Sequence, residues 1–175
     1  MTSRRPLVAV VGNGEATALA EEQAELVGRG IIERGWRLVT GGLGGVMLAA
    51  SRGARGAPSY REGDVVGVLP GPDAQAANPY VDIAVPTNLG YARNVLVVSM
   101  ADLVMAVGGG AGTLSELAMA WQLGKPIVAL DVPGWSQRLG GQAIDDRERG
   151  VVIAASDAEA AVSHAAACLE QRGAG

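Results

Sequence analysis

The fold of this chain is decided by residues 103–116, which read LVMAVGGGAGTLSE. An uninterrupted apolar run, typical of a buried strand, ends at Val107, and a helical pattern begins after the glycines. Glycine loses more backbone entropy on folding than other residues, and it has no side chain to pack. A glycine-rich loop therefore indicates that the main chain takes positive φ or passes close to a ligand. A helix that starts directly after such a loop presents unpaired N–H groups and the positive end of its dipole. The stretch therefore predicts a strand, a loop and a helix arranged around an anion such as phosphate.

Two further glycine clusters stand at the same kind of junction between an apolar run and a helical pattern. One begins at Gly12, after the run that ends at Val11, and the other spans Gly41–Gly45, after the run that ends at Thr40. The clusters hold two, four and four glycines, which is ten of the 26 in the chain. In open α/β sheets, ligands bind beyond the carboxyl ends of the strands. We therefore expect the three loops to form one site.

Apolar runs alternate with helical patterns along the rest of the chain. The predicted strands are Pro6–Val11, Arg37–Thr40, Val65–Leu69, Val81–Val85, Leu103–Val107, Ile127–Leu130 and Val151–Ala154. The predicted helices are Thr17–Arg34, Met47–Arg55, Gly90–Met100, Ser115–Leu123 and Asp157–Gln171, the last with a capping box formed by Ser156 and Glu159. Strands without polar alternation are buried on both faces by helices. The predicted fold class is therefore α/β, a single-domain doubly wound parallel sheet of Rossmann-like type.

The length and composition indicate one globular domain over residues 1–175, because 175 residues with 49% hydrophobic content can bury a substantial core. The first apolar run is too short for a signal peptide or a membrane span, so we expect a cytoplasmic protein without a membrane partner. Cys168, the only cysteine, cannot form an internal disulfide, which agrees with a reducing compartment.

A net charge of −4 without a Lys/Arg run disfavours a nucleic-acid polymer as partner. An anionic ligand should therefore be small and held locally.

Several catalytic residue types are nearly absent. His164, the only histidine, falls in an alanine-rich helical stretch, where a surface or packing role is expected. A Ser-His-Asp triad and a His/Cys metal site therefore lack their residues, and no metal site is predicted. Lys125, the only lysine, stands in a turn before a strand rather than in the desolvated pocket that a Schiff-base lysine needs. Carboxylates, arginines, hydroxyls and backbone N–H groups remain for chemistry.

Common nucleotide-binding fingerprints are incomplete in this sequence. The first glycine cluster offers Gly12 and Gly14 of the pattern GxGxxG and lacks the third glycine. The second strand ends at Thr40 and Gly41, without the acidic residue that binds a ribose 2′-OH in NAD enzymes. The P-loop pattern GxxxxGK[ST] is absent from the sequence. A dinucleotide dehydrogenase and a P-loop NTPase are therefore both disfavoured.

The glycine motifs resemble those of the LOG family, whose members have often been labelled lysine decarboxylase-like. Residues 109–116, GGAGTLSE, resemble the family motif GGxGTxxE, and residues 40–47, TGGLGGVM, resemble its second signature. Arg93 stands where the family's catalytic arginine is expected, and the resemblance runs from about Pro6 to about Leu130. Residues 67–73, GVLPGPD, resemble the small branch that includes the molybdenum cofactor carrier protein. Gly108 and Asn94 stand where the hydrolases of the family usually carry proline and lysine.

The resemblance implies a site for a phosphorylated nucleotide-type ligand. LOG-type hydrolases split a nucleoside 5′-monophosphate into free base and ribose 5-phosphate through an oxocarbenium-like transition state, and this reaction requires no cofactor. The implied catalytic residues are Glu116, which faces the ribose, and Arg93, which orients Glu116 or contacts the phosphate or base. The implied ligand- and phosphate-binding residues are Gly12, Asn13, Gly41, Gly42, Gly44, Gly45, Gly108, Gly109, Gly110, Gly112 and Thr113. The main prediction is a phosphoribohydrolase acting on an AMP-like nucleotide, and not a pyridoxal-phosphate-dependent lysine decarboxylase.

A second function class stays open, a carrier or sensor that binds a phosphorylated ligand without turnover. The molybdenum cofactor is its sharpest candidate ligand, since its pterin ends in a phosphate that the same loop could hold. Relatives form dimers or higher assemblies, so the resemblance also implies a homodimer or homotetramer, for which the apolar helix Tyr91–Met100 offers an interface. Whether residues 133–149 form a lid is left open by the sequence.

Purely structural explanations of the same residues also stay open. Thr113 and Glu116 fit a capping box, in which the two residues satisfy each other's backbone N–H groups. Arg93 could be a solvated helix residue. The Gly41–Gly45 loop could only relieve crowding between a strand and its helix.

Overall fold

The structure is a computed structural model that describes residues 4–147 and 150–173. The strands in these ranges are β1 (Leu7–Gly12), β2 (Arg37–Thr40), β3 (Val65–Leu69), β4 (Ile83–Pro86), β5 (Leu103–Val107), β6 (Ile127–Leu130) and β7 (Ile153–Ala155). The helices are α1 (Ala18–Glu33), α2 (Val46–Arg55), α3 (Asn94–Met100), α4 (Ala111–Gln122), α5 (Trp135–Leu139) and α6 (Ala158–Gly173). Two 3-10 turns span Ala74–Ala76 and Gly90–Arg93.

These strands form one parallel sheet in the order β4-β3-β2-β1-β5-β6-β7. β1 pairs with β2 on one side and with β5 on the other, so the winding direction of the chain reverses between β1 and β5. The loops that follow these two strands diverge toward opposite faces of the sheet, which opens a crevice at their carboxyl ends. The predicted doubly wound α/β fold class is confirmed.

The sheet is buried on both faces, because successive side chains of a strand point to opposite sides. On β1, Val8 and Val10 face a core formed with α1, α2 and α6, whereas Ala9 and Val11 face a second core formed with α3 and α4. This double burial explains why the strands appear in the sequence as uninterrupted apolar runs. It also fixes the carboxyl ends of the strands, from which the three glycine loops emerge.

Several predicted boundaries are wrong. α4 begins at Ala111 with Gly110 as its N-cap, four residues before the predicted start at Ser115, because the tertiary setting after β5 outweighs the low helix propensity of glycine. The predicted helix Gly90–Met100 is a 3-10 turn followed by α3, and α5 was not predicted. β4 and β7 each start two residues and end one residue later than predicted. None of the helices in the described ranges is long and apolar enough to cross a membrane.

The capping box predicted for the last helix is also wrong. α6 begins at Ala158, and Asp157 Oδ1 accepts a hydrogen bond of 2.9 Å from the Ala160 N–H. Asp157 therefore caps the helix in place of Ser156, whose hydroxyl donates to the Asp157 carboxylate. The helix dipole also stabilises a carboxylate at this position, because it favours negative charge at the N-terminus.

Candidate functional site

A cavity of about 320 Å³ lies at the carboxyl ends of β1, β2 and β5. Its walls include the loops after β1 and β2, the 3-10 turn before α3 and the first turns of α4. The predicted site residues that line it are Gly12, Gly41, Arg93, Gly112, Thr113 and Glu116. The glycine loops therefore meet at the point where the winding of the sheet reverses, as the sequence predicts.

The first turn of α4 brings unpaired N–H groups to this cavity. The Leu114 N–H donates to the Gly110 carbonyl at 3.0 Å, whereas the N–H groups of Ala111, Gly112 and Thr113 have no acceptor within the helix. Gly112 and Thr113 line the cavity. The helix dipole adds positive potential at the same place. This end of α4 therefore has the features that bind an anion.

Gly108 and Gly109 turn the chain between β5 and α4. Both have left-handed backbone angles, with φ of +63° and +106°, a conformation that favours glycine. The Gly108 N–H donates to Ser136 Oγ at 2.7 Å, and the Gly109 N–H donates to Asn13 Oδ1 at 2.6 Å. Both N–H groups are thus satisfied within the protein. The donors that remain for a ligand come later in the loop, from Gly110 onward.

Arg93 lies in the cavity wall, so the explanation of Arg93 as a solvated residue is wrong. Its side chain is 10% exposed, and its guanidinium packs so closely on Gly41 that a Cβ there would lie 2.4 Å from Nη2. Nη1 donates to Asn94 Oδ1 at 2.6 Å, whereas the buried Nε has no hydrogen-bond partner in the described part of the chain. Burial lowers the pKa of Arg93, and the charge of Glu116 opposes this change. A buried N–H without a partner is uncommon in folded proteins, because leaving it unpaired costs free energy.

Glu116 forms a buried ion pair with Arg93. Its side chain is 8% exposed, and Oε1 lies 3.8 Å from Arg93 Nη1, which is too far for a hydrogen bond. Burial raises the pKa of Glu116 to about 7, and the charge of Arg93 limits the rise. Near neutral pH, this carboxyl group can therefore hold or release a proton. The alternative capping box is wrong, because Gly110 is the N-cap and Thr113 lies inside α4.

Other predicted residues are not among those that line the cavity. The predicted residues that do not line the cavity are Asn13, Gly42, Gly44, Gly45, Gly108, Gly109 and Gly110. A Cβ at Gly45 would lie 2.2 Å from the Asn13 carbonyl oxygen, and the Gly42 carbonyl accepts a hydrogen bond of 2.8 Å from the Asn78 N–H. The lack of a side chain at Gly45 therefore relieves crowding against the loop after β1, rather than between a strand and its helix, and Gly41 contacts Arg93. Direct ligand contacts by the residues that do not line the cavity stay a prediction.

Sequence reasoning missed Tyr91, Asn94 and Ser136 as parts of the site. Tyr91 lines the cavity and is 92% exposed, and Asn94 binds the Arg93 side chain. Both flank Arg93 in the sequence, which is the signal that could have found them. Ser136 follows the pair Pro133-Gly134, a turn signal at the same sheet edge. Ser136 is fully buried beneath the glycine loop. Residues 148–149 of the segment considered as a lid lie outside the described residues, and a lid role of the segment stays untested.

The only lysine and the only histidine stand apart from the cavity. The Lys125 ammonium donates to the carbonyl oxygens of Ser99 and Ala101 at the end of α3. His164 is exposed on α6, as predicted. Neither residue lines the cavity. The chemistry available there is that of a carboxyl group, a guanidinium, a side-chain amide, hydroxyl groups and backbone N–H groups.

Comparisons with known proteins find relatives over most of the chain. The model of the SLOG cluster4 family matches residues 5–162. The structure of the molybdenum cofactor binding protein from Rippkaea orientalis has a TM-score of 0.84 and 36% identity, and the match covers 96% of this chain and 99% of that one. The molybdenum cofactor carrier protein from Chlamydomonas reinhardtii has a TM-score of 0.81 and 34% identity, with coverage of 96% and 99%. An uncharacterised protein from Archaeoglobus fulgidus is 40% identical over 126 residues, 72% of this chain and 80% of its own length. The resemblance described above is confirmed.

Proposed function

Because this chain belongs to the SLOG cluster4 family, we propose that it binds a small phosphorylated ligand in the cavity and carries it without chemical change. The first candidate ligand is the molybdenum cofactor, which the similar proteins from R. orientalis and C. reinhardtii bind or carry according to their names. The pterin of this cofactor ends in a phosphate, and a helix N-terminus is a common phosphate site.

The observation that carries this proposal is the meeting of the α4 N-terminus and Arg93 in one cavity. Gly112 and Thr113 bring N–H groups without intrahelical acceptors, and Arg93 brings the positive charge of a guanidinium to the cavity wall. Both features attract negative charge. A phosphate between them would accept hydrogen bonds from the helix N–H groups and pair with the charge of Arg93.

The cavity also suits a ligand that is larger than phosphate. Its volume of about 320 Å³ falls at the lower end of the range of roughly 300–1,000 Å³ found for small-molecule sites. Leu43 and Met47 give its wall apolar surface, against which a planar ring system can pack. Tyr91, which is largely exposed, adds an aromatic face to the lining.

Loading with the molybdenum cofactor tests this proposal. Purified protein is mixed with cofactor released from a molybdoenzyme, and gel filtration then measures the molybdenum and pterin that elute with the chain. We expect equimolar loading of the wild type and loss of loading in Arg93→Ala. The matched control is Arg29→Ala, which removes the same charge from an exposed position on α1. A wild-type protein that elutes without molybdenum and pterin would refute the proposal.

A second candidate function, hydrolysis of nucleoside 5′-monophosphates, is favoured by Glu116. In this reaction the bond between the base and ribose C1′ breaks, water supplies the new hydroxyl, and the products are free base and ribose 5-phosphate. As a carboxylate, Glu116 would stabilise the oxocarbenium ion or accept a proton from water, and as an acid it would donate one to the leaving base. A pKa of about 7 makes both forms available near neutral pH. Arg93 would hold the phosphate or orient Glu116.

Release of ribose 5-phosphate distinguishes the two candidates. A panel of nucleoside 5′-monophosphates is incubated with the wild type and with Glu116→Gln, which keeps the shape of the side chain but cannot exchange a proton. Hydrolysis predicts wild-type turnover that falls by at least about 100-fold in the variant, while ligand binding is retained. Cofactor loading without any ribose 5-phosphate release instead supports the carrier.

A further inference from the structure

We propose that Ser136 on α5 is a positioning residue for phosphate binding, because it fixes the turn that aims the first N–H groups of α4 into the cavity. The proposal rests on the proposed phosphate site and adds to it a residue that touches no ligand. Ser136 is fully buried and does not line the cavity. Its effect on a ligand must therefore pass through the glycine loop.

The Ser136 hydroxyl joins the loops that follow two neighbouring strands. Oγ accepts a hydrogen bond of 2.7 Å from the Gly108 N–H and donates one of 3.1 Å to the Val132 carbonyl. The Ser136 N–H donates in turn to the Gly108 carbonyl at 2.9 Å. Gly108 directly follows β5, and Val132 lies two residues after the end of β6. One small side chain thus ties the glycine loop to the neighbouring part of the sheet edge.

Residues at the start of α5 and in the loop after β1 also contact the turn at Gly108 and Gly109. The Trp135 N–H donates to the Gly109 carbonyl at 3.0 Å. Gly134 comes so close that a Cβ there would lie 2.7 Å from the Gly108 carbonyl carbon. Asn13 Oδ1 accepts the Gly109 N–H. The N–H and carbonyl groups of Gly108 and Gly109 are therefore all paired within the protein, which leaves the loop with one conformation.

These bonds decide which N–H groups remain for a ligand. Without the Ser136 hydroxyl, the Gly108 N–H would be buried and unpaired, a state that proteins avoid because it is costly. The turn would then rearrange to find another acceptor, and the N-terminus of α4 would move with it. Binding of a phosphate by helix N–H groups requires their positions to be held within about 0.5 Å. Loss of one remote hydroxyl should therefore weaken phosphate binding.

Two variants of Ser136 and one matched control test the proposal. Ser136→Ala removes the hydroxyl. Ser136→Cys keeps a polar atom at this position, slightly larger and only a weak acceptor, so it serves if the alanine variant does not fold. The control is Ser51→Ala on α2, because Ser51 is also fully buried and also donates to a carbonyl four residues earlier, that of Met47. Calorimetry measures the affinity for inorganic phosphate, ribose 5-phosphate and AMP. We expect a loss of about tenfold in both Ser136 variants and wild-type affinity in Ser51→Ala.

Amide hydrogen exchange separates a local effect from general destabilisation, because general destabilisation lowers the protection of many amides together. We expect the Gly108 N–H to lose protection in Ser136→Ala and to keep it in Ser51→Ala. Wild-type affinity in both Ser136 variants would overturn the inference, and so would an equal loss of affinity in Ser51→Ala. A wild type that binds none of the three phosphate compounds would overturn the proposed phosphate site and this inference with it. A wild type that binds phosphate compounds, together with Ser136 variants of the same affinity, overturns this inference and leaves the proposed phosphate site standing.

Discussion

Replacing Glu116 by glutamine should change how the stability of the protein depends on pH. Burial raises the pKa of Glu116 from 4.5 to about 7, so the folded chain keeps a proton that the unfolded chain has released in this window. The free energy of unfolding of the wild type therefore falls as the pH rises from about 4.5 to 7. Each tenfold change in proton affinity is worth about 1.4 kcal/mol. The whole contribution of Glu116 is thus about 3 kcal/mol, most of which is lost above pH 5.

Urea unfolding near pH 5 and pH 8.5 measures this effect. The stability of Glu116→Gln relative to the wild type should increase by about 2–3 kcal/mol between the two pH values, because glutamine has no proton to lose. The control Glu22→Gln changes an exposed residue of α1 and should follow the wild type. An equal stability difference between Glu116→Gln and the wild type at both pH values would refute the reasoning, since Glu116 would then not be a buried acid.

Three further substitutions test other parts of the account. Gly41→Ala would place a methyl group 2.4 Å from Arg93 Nη2, so the guanidinium would have to move. We expect loss of cofactor loading in a chain that circular dichroism shows to be folded. Unchanged loading would contradict the role of Arg93. Asn13→Ala removes the acceptor of the Gly109 N–H, and urea unfolding should show a loss of about 1–3 kcal/mol, whereas unchanged stability would show that this bond contributes little. Leu96 is 37% exposed on the apolar face of α3. If that face forms the expected homodimer or homotetramer, sedimentation should detect the assembly in the wild type and monomers in Leu96→Asp, and a wild-type monomer at micromolar concentration would count against it.

The sheet could be predicted from the sequence because its central strands are apolar on both faces. Val65–Leu69 and Leu103–Val107 match the structure residue for residue, since each run begins after an aspartate and ends before a proline or a glycine. The start of α4 could not be predicted in the same way. Propensity places the helix after the last glycine, whereas the structure begins it at Ala111 and includes Gly112 in its first turn.

The candidate site could be predicted in outline, because glycine loops after parallel strands meet at the same sheet edge. The choice of Arg93 and Glu116 comes from the family resemblance, and their burial and 3.8 Å separation depend on tertiary structure. The hydrogen bond between Gly108 and Ser136 joins residues 28 positions apart. Contacts over such separations follow from the pairing of β5 with β6, and no local pattern of residue types reveals them.

The central claim is that a phosphate binds at the N-terminus of α4. A crystal structure of the protein with the phosphorylated ligand that it binds most tightly tests this claim directly. We predict phosphate oxygens about 2.7–3.2 Å from the backbone nitrogens of Gly112 and Thr113, with the Arg93 guanidinium in contact with the ligand. A ligand whose phosphate lies away from α4 would contradict the account.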